Sequence, residues 1–279
     1  MRDFDIGSAT SSAVAFVSRN LRLILLLLGG AILVGQILVY AMVGSSPEAI
    51  AQQIASAGTS GDASQLFRLG GGLLAASVVA ALLQATAQFA IYRIALSDEQ
   101  DMGSAIGYGT NAAILYLLFS FVVGIVVVLI LALLIAAFIG MGVISSGGAS
   151  MSIAMLGVGL VLVLIPLLIW LAARLFVAVP VMADARSINP IYGLTQSWKL
   201  TRRHQWPIVG FVLLYIVAVL ILQGVLGLVG AIFALALGDV VGAILAGIIV
   251  ALPVGIIGLA VAYGAYDRLR PDDAGDIFG

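Results

Sequence analysis

Side chains able to do chemistry are scarce in this chain and gather in a few places. The stretch INPIYGLTQSWKLTRRHQWP, residues 188–207, brings Lys199, Arg202, Arg203 and His204 together with Trp198 and Trp206. Cations beside indole rings are suited to holding anionic headgroups at a membrane surface, where each basic residue contributes about 1 kcal/mol of attraction. Arg174 closes a long apolar run ten residues before Asp184. A charge there must snorkel outward or find a partner, and with Arg93 and the cations of 188–207 it forms a candidate headgroup site. The second polar set is Gln36, Gln84 and Gln88, all inside apolar runs. Gln84 and Gln88 share a helix face and Gln36 lies at a similar depth, so cross-helix hydrogen bonds averaging about 0.6 kcal/mol are expected among them. Such a cluster is either packing glue or the lining of a polar cavity.

Composition narrows the chemistry further. Of 279 residues 63% are hydrophobic and 9% charged, with a mean hydropathy of +1.23, against roughly 25% charged residues in soluble domains. Lipid must be the main solvent. The absence of cysteine excludes disulfides, thiolate metal sites and cysteine nucleophiles, and the single histidine, His204, cannot build a metal or haem site alone. No acid, base and nucleophile converge in any apolar run, so no enzyme, cofactor or metal is expected, and a net charge of −1 gives no hint of nucleic acid.

About 20 helical residues span a bilayer core of about 30 Å. Six runs qualify: Leu23 to Val43, Leu69 to Ala95, Ala113 to Gly140, Met151 to Met182, Ile208 to Leu237 and Val240 to Tyr266. The expected fold is an all-α integral membrane bundle of six transmembrane helices, one domain over 1–270 with a short cytoplasmic tail, 271–279. Lys and Arg are retained on the cytoplasmic side. With the N-terminus inside, Arg2, Arg19, Arg22, Arg93, Arg174, Arg186, Lys199, Arg202, Arg203, Arg268 and Arg270 fall at the inner face and only Arg68 outside. Both termini are therefore expected in the cytoplasm, with outer turns at SSGGAS and LGD and a small polar cap over Gly44 to Gln65. The first apolar run is too long for a signal-peptide core and reads as an uncleaved helix.

Polar or amphipathic stretches precede spans one, three and five: FDIGSATSSAVAFVSRN, QDMGSAIGYGTNA and SINPIYGLTQSWKLTRRH. They predict amphipathic interfacial helices on the cytoplasmic side and three repeated hairpin units. In the last, Asn189 and Pro190 match an N-cap and first helical position, placing Ile191, Leu194 and Trp198 on one face and Gln196, Lys199 and Arg203 largely on the other. In span six Ala243, Gly247, Ala251 and Gly255 form a flat ridge for close helix packing, and Gly224, Gly227 and Gly230 are read likewise in span five.

The run from Arg174 through Pro180 and Asp184 to GLTQSWKLTRRHQW resembles the membrane-domain family named for glycerophosphoryl diester phosphodiesterases, six-span bacterial membrane proteins with a similar motif before the fifth helix. The motif covers residues 174 to about 210, and the six-span layout extends the likeness over most of the chain. Asp184 stands where a glutamate is usual, Gln196 where an arginine is common and Arg203 where a glycine often follows. The catalytic barrel that follows such domains is not among these residues, so the resemblance implies no phosphodiesterase activity. It implies the inner (plasma) membrane of a bacterium.

The expectation is a non-enzymatic membrane module that binds anionic lipid, a protein partner or a second copy of itself at the cytoplasmic face. Its site would be Arg93, Arg174, Trp198, Lys199, Arg202 and Arg203. The alternative is a small transporter or lipid-translocating protein with a polar cavity lined by Gln36, Gln84 and Gln88.

Overall fold

The computed structural model describes residues 4–43, 63–97, 101–144 and 164–270, together with positions 56 and 162. Helix α1 (Ile6–Ile24) begins where the Asp5 carboxylate accepts the Ser8 N–H at 2.8 Å, a side-chain cap on the first turn. A π-helical turn, Leu25–Gly29, joins it to α2 (Gly30–Val43). No breaker separates Asn20 from the apolar run, so the helix propagates. The expected interfacial helix before span one is thus the first half of a continuous rod. Its segments of 19, 5 and 14 residues measure about 57 Å at 1.5 Å per residue, nearly twice the bilayer core.

Helix α3 (Ala63–Leu96) follows, and α4 (Met102–Ile144) packs against it. The Asp101 carboxylate caps α4 by accepting the N–H groups of Gly103 and Ser104 at 3.2 and 2.9 Å. Here too the expected separate stretch, QDMGSAIGYGTNA, is mostly the start of the span itself. The fourth apolar segment, Leu164–Asp184, breaks at Phe176 and Val177 before α5 (Ala178–Asp184). Pro180 explains the break: it lacks an N–H, and its ring would collide with the carbonyl of Phe176, four residues back. Helix α6 (Pro190–Thr201) follows, then α7 (Gln205–Leu237) and α8 (Asp239–Leu269), joined by Gly238 at φ 82°. The turn expected at LGD is there, and glycine suits its left-handed backbone. Of the three expected interfacial helices, only α6 is detached from the span it precedes. Segment 44–62 apart from position 56, the turn SSGGAS, the first part of span four and the tail 271–279 lie outside the described residues.

Six segments are long and apolar enough to cross a membrane: Ile6–Ala41, Gly70–Leu96, Met102–Leu129, Leu164–Asp184, Gln205–Leu237 and Val240–Leu269. Neighbours in the packing run α4, α3, α2, α8, α7, with α1 laid against α8. In hydrocarbon, apolar side chains gain nothing by leaving lipid, so close backbone approach does the joining. A Cβ on Gly264 would stand 2.2 Å from the Ala9 carbonyl oxygen, one on Gly109 2.6 Å from that of Thr86, and one on Gly242 2.5 Å from Ala234 Cα. The ridge read from span six packs on the first rod: Gly255 faces Leu28, and Gly247 receives the Gln36 side chain. The reading of span five holds for one glycine only. Gly230 meets Ala246, whereas Gly224 and Gly227 face open space, because α7 packs on α8 through its other side.

The buried side chains gather toward one end of the bundle. Phe16, Ile24, Leu28, Tyr92, Leu259 and Ala262 form one cluster; Phe4, Ala9, Val177, Val181, Ile208, Phe211 and Tyr266 form another. Toward the far end large apolar side chains are exposed, Leu228 and Leu235 among them, as lipid permits.

Candidate functional site

Helix α6 starts as its sequence requires. Asn189 Oδ1 accepts the Ile191 N–H at 3.0 Å, and Pro190 occupies the first helical position. Its inward stripe is Gly193, Ser197 and Thr201, four residues apart and all buried. Glycine is needed at 193, where a Cβ would come within 2.4 Å of the Met182 side chain. The Ser197 hydroxyl donates to the Arg174 carbonyl at 2.7 Å, and the Thr201 hydroxyl donates to the Ser197 carbonyl at 2.8 Å. The apolar residues Ile191 and Trp198 are exposed, Leu194 and Gln196 are half-buried, and Lys199, Arg202 and Arg203 are exposed. Small polar groups thus bind the helix to the protein, leaving the indole and the cations outward.

Arg174 lies beneath this helix and is only 6% exposed. Its guanidinium carbon sits 4.6 Å from the Trp198 ring centroid and 5.3 Å from that of Trp170, between two indoles that meet edge to face. Nη1 donates to the Trp198 carbonyl at 3.3 Å and Nη2 to Gln205 Oε1 at 3.2 Å, while Nε is buried without a hydrogen-bond partner. Among the described residues no carboxylate pairs with it. Two rings and two carbonyl oxygens are what hold this desolvated cation. Arg174 therefore does not snorkel, and its fork is engaged by the protein rather than open to a ligand.

Arg93 is buried as well, at 2% exposure, and does a different job. Its Nη1 donates to the Ala183 carbonyl at 3.0 Å. Helix α5 ends in a turn where Ser187 N–H bonds the Met182 carbonyl and Arg186 N–H the Ala183 carbonyl, with Arg186 left-handed at φ 52°. The Tyr108 hydroxyl donates to the carbonyls of Met182 and Ser187, and the Tyr266 hydroxyl to Asp184 Oδ2. Side chains from α3, α4 and α8 thus converge on the end of one seven-residue helix. A cation at a helix C-terminus is favourable, and Arg93 is a cap there. The headgroup role expected for Arg93 in common with Arg174 finds no shared contact.

The glutamine expectation is corrected. Gly35 is the residue that faces α3, with Ala80 3.2 Å from its built Cβ, so Gln36, a further 100° around the helix, turns to Gly247 of α8. Gln84 and Gln88 are half-buried, and among the described residues no hydrogen bond joins the three. Residues that sequence reasoning passed over include Trp170, Ser197, Thr201, Gln205 and Tyr108. Trp170 could have been found, since it stands four residues before Arg174 on the same helix face. Among the described residues no three His, Asp or Glu side chains come together as metal ligands.

Six long apolar helices with no strand among the described residues define an all-α, multi-pass membrane protein. The chain belongs to a family of unknown function (DUF7544), whose profile matches residues 16–267. Neither the curated proteins nor the solved structures contain a match to it.

Proposed function

We propose that this protein is a non-enzymatic membrane module whose basic end lies at the cytoplasmic face of a bacterial plasma membrane and engages anionic lipid there. The observation that carries this reading is the presentation of α6: fastened from within by Ser197, Thr201 and the Arg174 sandwich, it exposes Lys199, Arg202 and Arg203 beside Trp198 and Trp206. Fixed cations lose little entropy on meeting a headgroup, which favours binding over mere attraction. The clustering of Lys and Arg at this end supports a cytoplasmic location for both termini, and the likeness of residues 174–210 to a bacterial membrane-domain family supports the compartment.

Native mass spectrometry of the detergent-purified protein, with lipid analysis, tests this. Wild type should retain anionic over zwitterionic lipid, and the triple variant Lys199→Ala/Arg202→Ala/Arg203→Ala should lose the preference. The same lipid mixture on both forms would overturn it.

A further inference from the structure

We propose that α1 lies flat in the membrane interface at the basic end of the bundle, with the lipid of that leaflet as the partner of its outer face. From the reading above this takes only that the basic end lies at a membrane surface, and it goes further by assigning a second element to that surface.

Contacts along α8 give the direction of α1. Beyond the π turn Leu28 packs on Gly255 and Gln36 on Gly247, eight residues apart in both helices, so α2 runs alongside α8. Before the turn the pairing changes. Ala9 meets Gly264, and Phe16 stacks on Tyr263 at 4.2 Å. Seven residues of α1, about 10 Å, therefore pass a single step of α8, as only a helix laid across its partner can. Its other neighbours stand at the same level. Phe4 meets Phe211 of α7 at 5.8 Å, and Phe16 meets Tyr92 of α3 at 6.1 Å. Phe211, Tyr263 and Tyr92 lie four to six residues from the helix ends at Gln205, Leu269 and Leu96, a depth of about 6–9 Å, where interfacial helices settle. The π turn is a place where a helix bends. The lengths agree, since α1, the π turn and α2 together exceed a core of about 30 Å by about the length of α1 alone.

Three edges run along α1. Ala9, Ala13 and Phe16 form the seam buried on the bundle. Ser8, Ser12 and Arg19 share a second edge, where Ser12 Oγ accepts a hydrogen bond from Arg268 at 3.2 Å, one residue from the end of α8. That edge faces the helix ends and water. Val14 and Leu21, 64% and 43% exposed, lie about 150° around the helix from Arg19 and so point back toward the bilayer. Arg19 and Arg22 are exposed as well. Apolar side chains on the acyl side and cations on the headgroup side match the two layers of a leaflet.

The chain has no cysteine, so a nitroxide on a single introduced cysteine reports depth through collisions with oxygen, which enters lipid, and with a nickel chelate, which stays in water. Val14→Cys and Arg19→Cys replace exposed residues, so the fold should be kept. In phosphatidylcholine vesicles the label at 14 should lie roughly 10 Å deeper than the label at 19, the diameter of a helix. The apolar edge sets this order, which should persist when phosphatidylglycerol is added. An upright α1 would put the label at 19 deeper by about 7 Å and overturn the proposal. Water-like access at both positions, from a helix standing clear of the membrane, would also overturn it. Shielding of Val14→Cys from both oxygen and nickel would mean protein cover and would overturn the lipid assignment. The expected order in variants of α6 that show no anionic preference would sink the basic-face reading and spare this one, and the reversed order with that preference intact would do the opposite.

Discussion

Replacing Arg174 by lysine separates a strut from a ligand group. Arginine there donates to two acceptors, the Trp198 carbonyl at 3.3 Å and Gln205 Oε1 at 3.2 Å, and presents its flat face to two indoles. A lysine ammonium is a point charge on a shorter fork-less stem, able to keep one of those acceptors and not the double stacking. The lost hydrogen bond from a charged donor is worth about 1.5–3 kcal/mol, and the lost ring contact about 0.5–2 kcal/mol in a desolvated site. Together they predict a loss of roughly 2–5 kcal/mol, or on the order of 5–15 °C in apparent melting temperature. All three tryptophans of the chain stand at this site, two against Arg174 and Trp206 beside its partner Gln205. Intrinsic fluorescence in mild detergent therefore reports on it directly. A variant that melts within about 2 °C of wild type while shedding anionic lipid would refute the reasoning. Arg174 would then be a ligand-binding group, as its position in the sequence first indicates.

Other outcomes follow from the same geometry. Gly264→Ala must force α1 off α8, because backbone atoms of Ala9 and Ala13 stand 2.2 and 3.1 Å from the new Cβ; a loss of about 1–3 kcal/mol should show in thermal unfolding, whereas Gly224→Ala, in open space, should leave melting unchanged or raise it. The Ser8 N–H holds the Asp5 carboxyl below its ordinary value of 3.8, so the cap is fully present above that value and is lost as pH falls through the lower folded one. Hydrogen exchange at the first turn of α1 should accelerate there in wild type, and Asp5→Asn, which caps without titrating, should abolish the pH step.

The spans and the start of α6 were legible because they depend on local signals: apolar length, and Asn189 followed by Pro190. The helix breaks were less so. The polar lead of α1 has the composition of an interfacial helix, and although no breaker separates it from the apolar run, what fastens it to the bundle is the seam of Ala9 and Ala13 against Gly264, a contact over 250 residues away in sequence. The candidate site divided in the same manner. Lys199, Arg202 and Arg203 are exposed because they are terminal to a short helix, a local matter. Arg93 and Arg174 differ from them only in what tertiary packing sets against each: the end of α5 in one case, a pair of indoles in the other. Gln36 shows the smallest such decision, one residue of helical phase dividing a neighbour in α3 from one in α8.

The π turn at Leu25–Gly29 governs that phase. Ala9, Ala13, Phe16, Ile24, Leu28, Ile32 and Gly35 are buried along one rod, yet 26 residues of ideal α-helix between Ala9 and Gly35 would carry the stripe about 80° out of line. A π turn accommodates about one surplus residue and brings the two ends back to within about 20°. The turn thus holds one residue more than a plain α-helix with both ends in line would contain. Deleting a single residue between Leu25 and Gly29 should restore plain α-helix with both seams intact, while the same deletion anywhere else in the rod would rotate one seam off its partner. Among members of this family, single-residue length differences in the first span are expected to fall within those five positions.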